Sequence, residues 1–396
     1  MMRLMPRWTN WSGKLTAEPE ALHFARTEDD LSALVAATAA RNGQLRVVGA
    51  AHSHQPLIPT NDTIVDLGAF NGLIDVDTAS RVARIRAGTP IHVLGPALHR
   101  HGLALGNQGD IDRQSLGGAI ATGTHGTGRT LPSLSAMVRG VRMVTATGDV
   151  IETADAGPDV TEAARLHLGA LGVVTEIDIE VLPAYRLAEN GWAAAYGELR
   201  PDIESLAESH RHFEFFWFPQ NDQAIAKTID STDADLSYPM GDEGTRVGWS
   251  FEVLPNHRPV PHTEMEFSVD VDQGPACLDA IVELIRSHFT DLEWPVEYRT
   301  VAADDVWLST AHGRPVATIS VHQAVELDDE PLFRACESVF REFGGRPHWG
   351  KVNWFSGDDH AAGHSRWADW CRVRAELDPT AVFCNDNLAA LVGIDR

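Results

Sequence analysis

Residues 115–128 read SLGGAIATGTHGTG, and residues 48–54 read VGAAHSH at the end of an apolar, strand-like run. Glycine and alanine have little or no side chain, so backbone N–H groups in such segments can converge on an anion. Serine and threonine hydroxyls in both segments offer further hydrogen-bond donors. Either segment alone indicates a tight turn. Two such segments in one chain, both containing histidine, predict a bound diphosphate.

Neither glycine-rich segment has the pattern of a common nucleotide-binding motif. Neither is a GxGxxG that opens a helix in a βαβ unit, and neither is a GxxxxGK[ST]. The sequence therefore argues against the usual nicotinamide-dinucleotide and P-loop sites.

Length, composition and charge predict a two-domain globular protein. The chain has 396 residues, of which 43% are hydrophobic and 22% are charged, and this length is too great for one compact core. Its net charge of −24 opposes contact with nucleic acid. No apolar run reaches the roughly 18 residues that a membrane helix needs, and residues 1–13 lack the apolar core of a secretory signal. We therefore expect a cytoplasmic protein without nucleic-acid or membrane partners.

The pattern of strands and helices changes near residue 185. Short strands and helices alternate up to residues 177–181, where apolar and acidic side chains alternate as in a half-buried strand. Further along, residues 213–218 form an aromatic strand pattern, and amphipathic helices are predicted near residues 281–285 and 332–340. This irregular order of strands and helices predicts the α+β class.

Four specific motifs follow one another along the chain. They are residues 49–53 (GAAHS), 121–126 (ATGTHG), 297–304 (EYRTVAAD) and 346–351 (RPHWGK). With them the chain resembles the vanillyl-alcohol-oxidase type of flavoprotein, and within it the alditol oxidase and sugar-lactone oxidase branch. The resemblance implies a two-domain α+β fold. In it, residues 1–185 bind FAD, residues 186–340 form a substrate (cap) domain, and residues 341–396 return to the flavin site.

The resemblance implies FAD as the cofactor, held mainly by the two glycine-rich segments. In that family the histidine of the first loop is bonded covalently to the flavin, and His52 occupies its place, although His54 is a rival on sequence grounds alone. For Val173 and Val174, a core strand is an almost equally good interpretation. The residues implied at the cofactor are Val48, Gly49, Ala50, Ala51, His52, Ser53, His54, Gly109, Asp110, Ser115, Leu116, Gly117, Gly118, Thr122, Gly123, Thr124, His125, Gly172, Val173, Val174 and Lys351.

The implied reaction is the oxidation of a CH–OH group in a polyol, a sugar lactone or a sugar-bearing substrate. No side chain can accept a hydride, so an organic cofactor is required, with hydride passing to flavin N5 and then to O2 to give H2O2. The resemblance implies that Lys351 stabilises the negative charge of the reduced flavin and that Arg299 helps to hold a substrate oxygen. It assigns Glu297 to the orientation of Arg299 and to a substrate hydroxyl. A surface salt bridge is the commoner interpretation of a Glu-x-Arg pair.

The chain departs from the alditol oxidase pattern at three substrate positions. Asp110 stands where those enzymes have serine, and Ser320 and His322 stand where they have histidine and threonine. Asp110 could bind a diol or attract a cationic group, so a xylitol- or sorbitol-like substrate is not implied. His322 suits general-base work because its ordinary pKa lies near 6.5. A strand histidine bonded to backbone is an equally good interpretation of His322.

Gly109 bears on the electron acceptor. In related enzymes a small residue at this position leaves room for O2 beside the flavin, so the glycine indicates an oxidase. The nearest alternative is an FAD-dependent dehydrogenase that passes electrons to a quinone or a cytochrome. A protein that stores or senses flavin without turnover is a third hypothesis. The presence of Glu297, Arg299 and Lys351 argues against it, because storage needs none of them.

A metal site is not predicted. The four cysteines form no CxxC pair, so we expect buried thiols and neither a zinc cluster nor a disulfide framework. A metal hydrolase that uses His52, His54, His99, His101 and His125 is a remote alternative. No acidic ligand lies at a recognised spacing from these histidines.

Overall fold

A computed structural model of the chain describes residues 6–241, 243–256 and 258–394. Residues 1–5 of the segment considered above for a secretory signal lie outside these ranges. The first half contains β1 (Trp8–Thr9), β2 (Thr16–Ala17), β3 (Ala21–Phe24), α1 (Glu28–Ala40), β4 (Leu45–Val48), β5 (Thr63–Asp66), β6 (Leu73–Asp77), β7 (Val82–Arg86), α2 (Ile91–His99), β8 (Leu103–Ala104), α3 (Leu116–Ala121), β9 (Val138–Val144), β10 (Val150–Glu152), α4 (Thr153–Ala156), α5 (Pro158–Arg165), β11 (Val173–Glu180) and β12 (Leu182–Pro183).

Two sheets organise this half. A parallel sheet has the strand order β3-β5-β4, and an antiparallel sheet has the order β10-β9-β11-β7-β6. Helix α1 begins at the cap Thr27, whose side chain accepts a hydrogen bond from the backbone of Asp30 at 3.1 Å. Leu31 and Val35 bury its inner face in a core shared with Val144 and Val173 of the antiparallel sheet. The two sheets and α1 therefore share one hydrophobic core. The first glycine-rich segment begins at the end of β4, next to this core.

The second half is built around one large sheet. Its elements are β13 (Arg186–Ala195), α6 (Tyr196–Leu199), α7 (Ile203–Ser209), β14 (His212–Phe218), β15 (Gln223–Thr232), β16 (Thr245–Trp249), α8 (Ser250–Val253), β17 (His262–Asp270), α9 (Gly274–His288), β18 (Val296–Val301), β19 (Val316–Ala324), α10 (Glu330–Glu342), β20 (Arg346–Pro347), α11 (Gly357–Gly363), α12 (Trp367–Leu377) and α13 (Asp386–Leu391). The strand order is β16-β13-β15-β14-β18-β19-β17-β20. The aromatic strand β14 contributes Phe213, Phe215 and Trp217 to a core that includes residues of α9 and α10. One face of the sheet is thus covered by helices.

The chain returns to the first half after β20. Strand β20 pairs with β17, and Trp370 and Val373 of α12 belong to the same core as the antiparallel sheet of the first half. The backbone N–H of Leu45 donates to the carbonyl of Val382 at 2.8 Å. The predicted α+β class is confirmed. The domain limits at residues 185 and 340 stay a prediction.

Two further expectations concern membranes and thiols. Within the described residues, no helix is both long and apolar enough to span a bilayer. All four cysteines are free thiols, and Cys371 is half-buried where we expected a buried thiol. Cys277, Cys336 and Cys384 are buried as predicted.

Candidate active site

The two glycine-rich segments face each other across a cleft of about 930 Å³ that is partly open to solvent. The segments approach so closely that a methyl group on Gly49 would lie 2.0 Å from the Oγ and 3.0 Å from the Cβ of the Ser115 side chain. Ser115 is also the cap of α3 and accepts a hydrogen bond from the backbone of Gly118 at 3.4 Å. Glycine at residue 49 allows the Ser115 side chain to lie this close to the backbone of the first segment. The cleft is therefore narrow at this point.

Most of the residues predicted at the cofactor line this cleft. Arg46 and His167, which were not predicted, line it as well, and the Arg46 guanidinium donates to the carbonyls of Leu57 and Leu168. Burial lowers the pKa of Arg46 to about 10, so its positive charge persists at neutral pH. The predicted residues that line the cleft are Val48, Gly49, Ala50, Ala51, His52, Ser53, Ser115, Gly117, Gly118, Thr122, Gly172 and Val174.

The remaining predicted cofactor residues lie elsewhere. Leu116 and Val173 are buried core residues, and Gly123 has a positive φ of 76° beside Leu166. His54 lines a neighbouring cavity with Trp349, and its backbone N–H donates to the carbonyl of Gly350 at 2.7 Å. Gly109, Asp110, Thr124, His125 and Lys351 line a second pocket.

This second pocket adjoins the cleft, because Gln114 lines both. Its volume, including space open to solvent, is about 490 Å³. Four predicted catalytic residues meet there, together with charged residues that the sequence analysis did not single out. The lining residues are Gly109, Asp110, Ile111, Gln114, Thr124, His125, Arg258, His262, Glu264, Glu266, Glu297, Arg299, His322, His348 and Lys351.

The register of three neighbouring strands explains how these side chains come together. Ser320 of β19 is directly opposite both Glu297 of β18 and Glu266 of β17. One step along the sheet, His322 is opposite Glu264. Residues directly opposite in neighbouring strands point to the same face of a sheet. The row Glu297–Ser320–Glu266 and the pair His322–Glu264 therefore share one face.

Arg299 contacts a second carboxylate besides the one predicted. Its Nη2 donates a short hydrogen bond to Glu266, whereas Glu297 Oε2 lies 3.5 Å from the same nitrogen. Glu266 also accepts hydrogen bonds from Ser320 Oγ and His125 Nε2, both at 2.8 Å. The predicted Glu297–Arg299 ion pair is therefore present, and Glu266 is a second, closer partner of Arg299. That Glu297 orients Arg299 stays a prediction. Glu297 and Arg299 are both buried, so the pair is not a surface salt bridge.

Lys351 and His322 meet at the second carboxylate of β17. Lys351 Nζ donates to Glu264, and His322 Nε2 lies 3.9 Å from the same carboxylate. His322 Nδ1 donates to the carbonyl of Pro295 at 2.9 Å, which fixes the proton on that nitrogen. Burial lowers the pKa of His322 to about 4. At neutral pH its Nε2 therefore offers a lone pair to the pocket.

The carboxylates of the pocket differ in their protonation. Burial raises the pKa of Glu297 to about 8, with the negative charge of Asp110 adding to the effect and Arg299 opposing it. Burial also disfavours charge on Glu264 and Glu266, but the adjacent cations and histidines hold both pKa values well below the usual range. At neutral pH, Glu297 therefore carries a proton, while the two carboxylates of β17 are ionised.

Asp110 forms an ion pair at one side of the pocket. Its Oδ2 lies 2.5 Å from Arg258 Nη2, and its carbonyl accepts from the backbone of Asn256 at 2.7 Å. The Arg258 guanidinium also stacks 4.3 Å from the ring centre of Phe216. Burial raises the pKa of Asp110, but the charges of Arg258 and Arg299 outweigh it and lower the pKa overall.

The geometry agrees with comparisons to known proteins. Residues 177–242 and 236–391 match the D-arabinono-1,4-lactone oxidase family, and residues 19–154 match the FAD binding domain. The chain belongs to the D-arabinono-1,4-lactone oxidase family. This family assignment confirms the resemblance to the sugar-lactone and alditol oxidase branch, and the protein is an FAD-dependent oxidoreductase.

Relatives of this D-arabinono-1,4-lactone oxidase family member match almost its whole length. An L-gulono-1,4-lactone dehydrogenase of Mycobacterium tuberculosis is 30% identical over 98% of this chain and 100% of the relative. An alditol oxidase of a Streptomyces species is 32% identical over 97% of this chain and 98% of the relative. The solved cholesterol oxidase of B. sterolicum has a TM-score of 0.86 at 17% identity, covering 98% of this chain and 97% of that chain. That last likeness shows the fold alone.

The cleft of this D-arabinono-1,4-lactone oxidase family member fits FAD on its own geometry. The Gly49–Ser115 approach leaves a narrow wall, and hydroxyls of Ser53 and Thr122 line it beside backbone groups. Backbone N–H groups and hydroxyls of this kind suit a bound diphosphate.

Histidines and glutamates also gather in groups that could hold a metal. Among the described residues, His125, Glu266 and His348 form one group, and His262, Glu264 and His322 form another. Each carboxylate already contacts a fixed cation, which opposes binding of a second one. Of the histidines considered for a metal hydrolase, only His125 belongs to either group.

Proposed function

We propose that this protein is an FAD-dependent oxidase of a CH–OH group in a sugar lactone, a polyol or a sugar-bearing alcohol, with O2 as electron acceptor. The observation that carries the proposal is the sheet face on which Glu297, Arg299 and His322 meet Lys351, beside the glycine-lined cleft. FAD, when bound in that cleft, supplies the two-electron acceptor for the oxidation. The names of the relatives, which are lactone and alditol oxidases and dehydrogenases, support this substrate class.

The pocket residues divide the work of binding and proton transfer. His322 Nε2 is unprotonated at neutral pH and is the proposed acceptor of the hydroxyl proton of the substrate, although burial makes it a weaker base than an ordinary histidine with a pKa near 6.5. Glu297 is protonated and donates a hydrogen bond to a substrate oxygen. Arg299 stabilises negative charge that develops on the substrate, and Lys351 supplies a cation for the reduced cofactor. Asp110 and Ser320 complete the substrate-binding set.

An oxygen electrode and a peroxide assay test the proposed function. We expect the purified, FAD-loaded protein to consume O2 and form H2O2 with at least one member of a panel of aldonolactones, alditols and oligosaccharides. Bleaching of the flavin without O2 uptake would instead favour the dehydrogenase, with a quinone or cytochrome acceptor. Failure of every panel member to bleach the flavin would contradict the proposed oxidation and favour the storage hypothesis.

We propose that FAD is attached covalently through His52. Its ring lines the cleft 5.1 Å from that of Trp11, and burial lowers its pKa to about 4, so a ring nitrogen is free to react. In the wild-type protein we expect the yellow colour to stay with the acid-precipitated pellet, and in His52→Ala to pass to the supernatant. His54→Ala is the matched control and should keep the colour in the pellet. Colour in the His52→Ala pellet would contradict the assignment.

Gly109 is proposed to keep O2 access to the cofactor open. A methyl group at this residue would lie 3.2 Å from Thr124 Cγ2 and 3.3 Å from the carbonyl oxygen of His125, so these neighbours would have to shift by a few tenths of an ångström. We expect Gly109→Ala to slow flavin reoxidation by O2 about tenfold, equivalent to about 1.4 kcal/mol in the barrier. Stopped-flow reoxidation measures this rate, and Gly106→Ala, where a methyl group has room, is the control. Equal reoxidation rates in both variants would remove Gly109 from this role.

The division into domains is part of the same proposal. Residues 1–185 would bind FAD, residues 186–340 would form the cap over the substrate, and residues 341–396 would bring Lys351 to the flavin site. The pairing of β20 with β17 supports this path of the chain. The cytoplasmic location expected from the sequence stays a prediction.

A further inference from the structure

Glu266 joins three separate parts of the protein in the pocket. Its side chain accepts hydrogen bonds from His125 in the second glycine-rich segment, from Ser320 in β19 and from Arg299 in β18. The residue is 1% exposed, so water does not compete for these contacts. A buried carboxylate with three donors is firmly ionised and firmly placed.

Arg299 lies between two carboxylates that compete for it. Its Nη2 makes a short hydrogen bond to Glu266 and lies 3.5 Å from Glu297 Oε2. Both carboxylates are buried, and Ser320 separates them across the sheet. A guanidinium that moved fully to Glu297 would form a close salt bridge and favour the ionised form of that carboxyl.

We propose that Glu266 is a positioning residue that holds Arg299 away from Glu297, and so leaves the Glu297 carboxyl able to carry a proton in the substrate pocket. The inference deepens the proposed function and rests on it for the substrate. It assigns a role to a residue of β17 that does not need to touch the substrate itself. His125 gives Glu266 a second anchor in the cofactor-binding segment, so the position of Arg299 also depends on that segment.

The groups around Glu297 set the expected effect. On its own strand it faces Arg299, and from other elements it faces Asp110, Arg258 and Glu214. Burial is the largest cause of its raised pKa, and Asp110 and Glu214 add to it while the two arginines oppose it. Removing the negative charge of Glu266 frees Arg299 to approach Glu297. The same change also removes a nearby negative charge, so both consequences lower the pKa of Glu297.

Three titratable side chains lie close to Glu266. His125 and Arg299 face it at hydrogen-bond distance, and His348 lies close enough to favour its ionised form. Glu264, two residues earlier on the same face, is paired with Lys351 and does not contact Arg299. The cation freed in a Glu266 variant therefore has Glu297 as its nearest alternative partner.

Infrared titration of the holoenzyme tests the proposal without any substrate. The carbonyl band of a protonated carboxyl is followed between pH 6 and 10, and Glu297→Gln identifies the part that belongs to Glu297. In Glu266→Gln we expect the proton affinity of Glu297 to fall at least tenfold, so the midpoint of its infrared titration should move down by at least one pH unit. Ser268→Ala is the matched control, since Ser268 bonds Thr310 on the same strand face. An unchanged titration in Glu266→Gln would overturn the proposal.

A second variant keeps the test decisive if Glu266→Gln does not fold. Glu266→Asp retains the charge but withdraws the carboxylate by one methylene, so Arg299 should still move towards Glu297. We expect a smaller shift in the same direction, and no shift would overturn the proposal. The pH profile of kcat/KM should move with the infrared titration. Failure to oxidise any alcohol would count against the proposed function and leave the infrared result to decide the role of Glu266.

Discussion

Replacing Lys351 by methionine is expected to lower the rate of flavin reduction by an accepted substrate about 10²- to 10³-fold. Lys351 Nζ carries the fixed positive charge that contacts Glu264 in the pocket, and its side chain is 19% exposed. A preorganised charge of this kind is worth about 2.7–4 kcal/mol when it faces developing negative charge in a site that excludes water. Methionine keeps the length of the side chain and removes the charge. Anaerobic stopped-flow absorbance measures the reduction directly.

The controls for Lys351 separate catalysis from folding. Lys351→Met leaves Glu264 as a buried carboxylate without its cation, which is itself destabilising. The double variant Lys351→Met with Glu264→Gln removes both charges and should fold while remaining slow. Lys14→Met changes an exposed lysine that lines neither the cleft nor the pocket, and this variant should reduce its flavin at the normal rate. Normal reduction in the double variant would show that the ammonium has no part in the reaction.

Acidification is expected to unfold the protein near pH 5, well above the range in which carboxylates usually titrate. Burial lowers the pKa of His167, His322 and His360 to about 4, and of His212 and His348 to about 3. An unfolded histidine titrates near 6.5, so between these values the unfolded chain binds more protons than the native protein. The stability that depends on these neutral histidines is therefore present above pH 6.5 and is lost as the pH falls.

The size of this effect follows from proton linkage. Between neutral pH and pH 5, each such histidine lowers the free energy of unfolding by about 2 kcal/mol, and the five together lower it by about 10 kcal/mol. The raised pKa of Glu297 acts in the opposite direction and offsets about 3.5 kcal/mol between pH 8 and pH 5, nearly the weight of two histidines. The remaining loss is comparable with the 5–15 kcal/mol that typical proteins have in total. Thermal melting from pH 8 to pH 5 at constant ionic strength measures the dependence.

One histidine serves as an internal check on the linkage. His360 stacks 4.2 Å from the ring centre of Trp349, and its Nδ1 has no hydrogen-bond partner among the described residues. His360→Phe keeps the stacking and removes the titrating group. Between pH 8 and pH 5, we expect the free energy of unfolding of this variant to fall by about 2 kcal/mol less than that of the wild type. His23→Phe, at an exposed position, should follow the wild-type curve, and identical curves for all three proteins would refute the explanation.

Local sequence patterns predicted much of the fold and singled out the two glycine-rich segments that line the cleft. Glycine-rich segments, the alternating strand at residues 177–181 and the cap of the first helix depend on neighbours within a few residues, so they can be interpreted without the fold. Leu116 and Val173 were predicted at the cofactor, and their side chains lie in the core. A motif does not reveal which side of its backbone faces a ligand. The residues of β17 were not predicted at all. Their signal was present, since His262, Glu264, Glu266 and Ser268 alternate with Thr263, Met265, Phe267 and Val269.

The sequence by itself determined the α+β class, the FAD-binding segments and the family, and it named Glu297, Arg299 and Lys351. Only the tertiary structure decided which partners those residues have. Glu266 lies 33 residues before Arg299 and 141 residues after His125 in the chain, and the register of β17, β19 and β18 brings them into contact. Strand register depends on pairing energies summed over the whole sheet, and a buried charge takes whichever partner the fold brings nearest. For that reason Arg299 contacts Glu266 more closely than the glutamate two residues away.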